Sequence, residues 1–192
     1  INPKILKEEY HQLVSRCNAD KKAVNFREKE ISKLNFFNIG FWFKPHVITD
    51  LAIIKQNIEK IKDNDIKDFF LIAFSETVRN VSNTRNREYK LYRMSQIMLQ
   101  KHIPNTFEEF KSKASKSIVG MEEYFKVHNP KCQVNILAED TRNLTSIPAN
   151  SVDLIVTSPP YGDSRTTVAY GQFSRLSLQW LDYGKGEVLN ID

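Results

Sequence analysis

Val152-Asp153-Leu154-Ile155-Val156-Thr157-Ser158-Pro159-Pro160-Tyr161 carries the strongest local signal in the sequence. Ser151 precedes it and Gly162 follows it. A short run of apolar, β-branched residues bounded by turn residues is the pattern of a strand buried in a parallel sheet. The run Cys132 to Ala138, closed by Glu139-Asp140, has the same character. Helical spacing returns after the prolines through Phe173, Leu176, Leu178 and Leu181. Strands alternating with a helix predict an α/β arrangement. Ligands of open α/β sheets lie beyond the carboxyl ends of the strands, so Ser158 to Tyr161 would stand at a ligand.

The segment from Val152 to Tyr161 resembles the target-base loop of the amino-methyltransferases, which methylate exocyclic amines of nucleobases. In that family the loop reads Asp/Asn/Ser-Pro-Pro-Tyr/Phe/Trp at the end of a buried strand, and here it stands as Ser158-Pro159-Pro160-Tyr161. The run Ile136 to Asp140 and the stretch Ile147 to Ser151 also resemble the approach to that loop. The resemblance spans about residues 134 to 181. It implies a partial Rossmann-like methyltransferase sheet over residues 129–192. The mainly helical residues 1–128 would then be an insertion or accessory region. It further implies S-adenosyl-L-methionine as cofactor, DNA as partner and a place in restriction-modification. Ser-Pro-Pro-Tyr leans toward cytosine N4 rather than adenine N6.

The residues suit that chemistry on physical grounds. Two prolines fix two φ angles and give up two N–H groups. The Pro159 carbonyl therefore sits on a stiff loop, and aiming it at a ligand amine costs little ordering entropy. The Ser158 hydroxyl can accept from the same amine. An aromatic amine is a poor nucleophile because its lone pair is delocalised into the ring. Two acceptors on its hydrogens favour a pyramidal nitrogen whose lone pair can reach a methyl group. A target inside a duplex must be flipped out. Stacking on Tyr161 would return about 1–3 kcal/mol of that cost. The plain structural alternative is a rigid Pro-Pro turn ending a strand.

On the cofactor side, the resemblance gives Asp140, and less strongly Glu139, contact with the adenine amino group. A turn or cap role explains Asp140 equally well. The family's Phe-x-Gly-x-Gly loop has no counterpart among the glycines at 40, 120, 162, 171, 184 and 186. The chain also opens on Ile1 and ends on Asp192. Both features fit a fragment of a split or truncated methyltransferase, expected to turn over poorly when isolated.

Upstream, the periodicity is helical. Pro3 behind Asn2 suits a helix start, and Leu6, Tyr10, Leu13 and Cys17 recur on one face. Val47, Leu51, Ile54, Ile58 and Ile61 form a second stripe. Ile66, Phe69, Phe70, Ala73, Phe74, Val78 and Val81 make a wide third one. Thr106 with Glu109 fits a capping box, ahead of Phe107, Phe110, Ala114, Ile118, Met121 and Phe125. Such stripes predict core. The aromatic stretch from Asn35 to Phe43 reads as an ordered loop or short strand.

Arg79, Arg85, Arg87, Lys90 and Arg93 cluster with Tyr89 and Tyr92 interleaved, a mixture suited to phosphate contact and stacking. A solvated helix end explains it as well. Arg165 and Tyr170 follow the Pro-Pro loop, where a lid over the target base would lie. Lys111, Lys113 and Lys116 read as a solvated face.

The net charge of +5 with 28 Lys+Arg fits a polyanionic partner without requiring one. Two distant cysteines make neither a disulfide framework nor a zinc site and suit a cytoplasmic setting. No apolar run approaches the ~18 residues of a membrane span, so no membrane partner is expected. Two other functions stay open. One is methylation of RNA, such as a tRNA guanine N2. The other is a non-catalytic helical module that binds nucleic acid or protein.

Overall fold

Asn2 starts the first helix, its side chain accepting from Lys4 N at 2.9 Å while Pro3 takes the first helical position. In the computed structural model, which describes residues 1–85, 90–137, 139, 143–157 and 170–182, seven helices follow one another. They are α1 (Pro3–Asn25), α2 (Ile39–Trp42), α3 (Pro45–Ile58), α4 (Asn64–Val81), α5 (Gln96–Lys101), α6 (Thr106–Val127) and α7 (Tyr170–Trp180). Side-chain caps set several of their starts. Asp63 accepts from Ile66 N at 3.1 Å, and Asn105 accepts from Glu108 N at 3.2 Å. The α6 cap is thus one residue earlier than the Thr106 box suggests: Glu109 N donates to Asn105 O at 3.0 Å, and the buried Thr106 Oγ1 has no partner among the described residues.

The apolar stripes meet where their spacing predicts, except that Phe125, at the end of the α6 stripe, is 44% exposed. α4 packs on α6 and α3, α1 packs on α3 and α6, and α7 lies on α4. Leu6, Leu13, Val47, Leu51, Ile54, Ile58, Phe70, Ala73, Phe74 and Val78 are all fully buried. Trp180 comes from far along the chain to fill the centre. Its ring meets Phe36, Phe43 and Phe74 edge to face, at centroid distances of 6.3, 5.7 and 6.2 Å. Such contacts add about 0.5–1.5 kcal/mol each beyond the area buried.

Several polar groups inside this core carry partners. Buried Asn57 donates to Asp20 Oδ2 at 2.8 Å and to Ile53 O at 3.0 Å, which ties α1 to α3. Asp50 is paired with Lys21 across the same two helices. The Cys17 thiol lies among these side chains, and burial pushes its pKa up to about 12.

The stretch read as loop or strand resolves into two parts. Asn38 adopts a left-handed conformation (φ 62°) that turns the chain into the single turn of α2, and Phe43 is then buried. Lys44, just before α3, donates to Leu99 O at 2.9 Å and also to His102 O. A cation thereby satisfies the open carbonyls at the end of α5.

The expected α/β sheet is corrected by the structure. The described residues contain no strand and no sheet, so the partial Rossmann-like sheet predicted for residues 129–192 is not what they form. Their β feature is one isolated antiparallel bridge, Thr84 to Arg93. Val134, Ile136, Leu154, Ile155 and Val156 are 74–95% exposed. The physical reason is that apolar, β-branched composition signals a tendency to pair and names no partner. A strand exists only through a ladder with a neighbour. Within the described residues these runs have none. Beyond residue 129 the predicted helix is present as α7, and it seats Leu176 and Trp180 in the helical core.

Candidate functional site

Several residues singled out in the sequence lie outside the described residues: Ser158, Pro159, Pro160, Tyr161, Asp140, Arg165, Arg87 and the side chain of Tyr170. The described geometry that bears on function lies at Glu139, around Arg79, and at the segment between α4 and α5.

Glu139 holds a turn. Its Oε2 accepts from Thr145 N at 3.1 Å and Ser146 N at 3.3 Å. Hydrogen bonding from the Ser146 side chain first, then from Ser146 N and Thr145 N, holds its carboxyl below the usual range. One oxygen of the weaker cofactor candidate is therefore engaged by its own loop.

Arg79 is turned inward, 7% exposed. Its guanidinium lies 4.3 Å over the Phe173 ring and donates to Phe173 O at 3.0 Å. Here it docks α7 onto α4, and burial lowers its pKa. Ser177 supports the same contact by donating to Ser75 O at 2.8 Å.

The other described cations of the cluster face outward from an anchored root. Asn83 is the anchor: its N donates to Trp42 O at 2.7 Å, its Nδ2 to Phe41 O at 3.1 Å, and its O accepts from Met94 N at 2.8 Å. Arg85 N then donates to Tyr92 O at 2.9 Å, beside the Thr84–Arg93 bridge. Two cation–aromatic pairs stand on this root. Arg85 Cζ is 5.9 Å from the Tyr92 ring, and Arg93 Cζ is 4.3 Å over the Phe41 ring. Arg93 Nε also donates to Phe41 O at 3.1 Å. Arg85 and Lys90 are exposed, and Tyr92 and Phe41 remain 47% and 44% exposed. Cations held on exposed aromatic plates suit phosphate contact and stacking of bases.

Phe41 escaped the sequence reading. It lies 52 residues from Arg93, in a stretch whose aromatics are otherwise mostly explained by the core. Only its exposure beside a guanidinium distinguishes it.

A cleft of about 620 Å³ opens between the 32–35 loop and α3, with Lys33, Lys55, Lys60 and Trp180 on its walls. Lys55 is paired with Asp182, and Lys60 lies 3.6 Å from Asp20. Two of its three cations are thus matched by carboxylates. No cluster of metal-ligating side chains occurs among the described residues. None of the described helices is long and apolar enough to cross a membrane.

The chain is similar to the type II methyltransferase M.MvaI of Kocuria varians, with 46% identity over 160 residues. The match covers 80% of this chain and 35% of that protein, so the chain spans about a third of the length of the relative. No protein-family model matches the chain, and no solved structure matches it.

Proposed function

We propose that this chain is part of a type II DNA methyltransferase that methylates an exocyclic base amine, most readily cytosine N4. The observation that carries the proposal is the 46% identity to a type II methyltransferase. The Thr157-Ser158-Pro159-Pro160-Tyr161 sequence, whose chemistry fits an amine target, supports it.

In this reading the Ser158 hydroxyl and the Pro159 carbonyl accept from the two amine hydrogens of a flipped base. The two prolines hold those acceptors at fixed φ, and the acceptors hold the amine lone pair clear of the ring. Tyr161 stacks on the base and offsets its lost stacking in the duplex. No side chain of this chain needs to become covalently attached to the base, because the amine itself is the nucleophile.

S-adenosyl-L-methionine supplies an activated methyl group when bound. Glu139 is the weaker candidate for contact with its adenine, since Oε2 already takes two backbone N–H groups and Oε1 alone would serve. Asp140 is the residue proposed for that contact.

The test is methyl incorporation by the complete gene product from labelled S-adenosyl-L-methionine, with duplex DNA and tRNA as competing substrates. Digestion to nucleosides should yield N4-methylcytosine. N6-methyladenine would keep the class and change the base. Methylation of tRNA alone, or of neither substrate, would refute the proposal. Tyr161→Ala is expected to lower incorporation by about 5- to 150-fold, on the scale of one lost base–aromatic stack of about 1–3 kcal/mol.

A further inference from the structure

The geometry points to a second contact with DNA, resting on the proposal that DNA is the partner. We propose that the Phe41–Arg93 pair is a pre-positioned phosphate contact for duplex DNA.

A guanidinium has five N–H donors in a fixed fork. Arg93 spends one, from Nε to Phe41 O at 3.1 Å. The remaining four have no acceptor among the described residues, and no carboxylate there pairs with this arginine. The fork lies over the Phe41 ring, with Cζ 4.3 Å from its centroid, and its Nε is tied to the backbone of the same residue. The charge is therefore held in place before any ligand arrives, and binding would immobilise no long side chain.

Its link to Phe41 O duplicates one the fold already has. Asn83 Nδ2 donates to the same carbonyl at 3.1 Å, and Asn83 N to Trp42 O at 2.7 Å. Pinning α2 to this root thus needs no arginine. The surroundings favour an anion as well. Arg85 sits on Tyr92 beside the same bridge, Lys90 is exposed, and the chain carries a net charge of +5.

A guanidinium fixed to the backbone of its own fold suits the phosphates, which position a protein, rather than base edges, which specify sequence. Binding through Arg93 is therefore independent of sequence and sensitive to salt.

The experiment is anisotropy of a labelled duplex oligonucleotide titrated with this chain across a potassium chloride series. The logarithm of the binding constant should fall linearly with the logarithm of salt. Arg93→Gln keeps a donor for Phe41 O and removes the charge, and it should reduce the magnitude of that slope by about 0.9, the share of one phosphate. Arg93→Lys should restore the slope. Phe41→Leu should keep the slope and weaken binding, because the charge stays while its support is lost. A separate readout needs no variant: duplex DNA should protect Arg93 from phenylglyoxal, followed by peptide mass spectrometry. An unchanged slope in Arg93→Gln, equal modification with and without DNA, or no duplex binding by the parent chain would each overturn the proposal. If these results hold while the complete gene product transfers no methyl group, the methyltransferase reading fails and the phosphate contact stands. Methyl transfer with an unchanged slope fails the contact alone.

Discussion

Arg79 lies with its guanidinium 4.3 Å over the ring of Phe173 and donates to the carbonyl of that same residue. The two are 94 positions apart, so one side chain joins α4 to the helix that brings Trp180 into the core. Arg79→Ala would leave Phe173 O without this donor and remove the stacked cation. A charged hydrogen bond contributes about 1.5–3 kcal/mol and a partly buried cation–π contact about 0.5–2 kcal/mol. The expected loss is about 2–4 kcal/mol by urea unfolding, while Lys90→Ala, on an exposed cation, should stay within about 0.5 kcal/mol.

Trp180 is fully buried, yet its indole N–H has no acceptor among the described residues. Its worth is therefore shape and area, reduced by a stranded donor. Trp180→Phe would shrink the ring and remove that donor, and should cost less than about 2 kcal/mol. Trp180→Ala would open a cavity between Phe36, Phe43 and Phe74 and should cost about 3–5 kcal/mol. Equal losses in the two variants would show that the indole N–H is satisfied in solution.

Asp20 contributes to behaviour in acid. Burial pushes its carboxyl up, but hydrogen bonds from Lys29 and Asn57, with the charges of Lys60 and Lys29, pull harder and leave it below its ordinary value of 3.8. A group whose pKa is lower in the folded state stabilises fully above its unfolded value and loses that contribution as pH falls through its folded value. The melting temperature should therefore fall as pH drops through and below 3.8. Asp20→Asn should be destabilised at neutral pH and flatter over that acid range. Parallel melting curves for the two proteins across this range would contradict the assignment.

The two cysteines should differ in reactivity. Burial raises Cys17 to about 12, while Cys132 is exposed. Since the thiolate is the reactive form, iodoacetamide at mildly alkaline pH should label Cys132 alone in the native chain. Both should react in denaturant. Native labelling of Cys17 would show that α1 opens readily.

The helices were legible because one periodicity encodes both their existence and their buried face. Leu6, Leu13 and Cys17, or Val47, Leu51, Ile54 and Ile58, announce a helix and the side that packs. Strand composition lacks that property, since Leu154, Ile155 and Val156 advertise a tendency to pair and say nothing of a neighbour. The basic cluster was legible in charge but not in direction. Arg79 and Arg93 look alike in sequence, and only Phe173 and Phe41, 94 and 52 residues away, decide which turns inward and which is held at the surface. The reading of Ser158 to Tyr161 rests on residue chemistry and on resemblance to a known motif, and those residues lie outside the described ones.

The aromatic box at the centre draws Phe36, Phe43 and Phe74 from early in the chain and Trp180 from late in it. A growing polypeptide therefore leaves the ribosome with its hydrophobic heart unsealed until some 100 residues after Phe74 have been made. Until then the waiting rings are a natural target for chaperones, and synthesis halted ahead of Trp180 yields a species prone to aggregate.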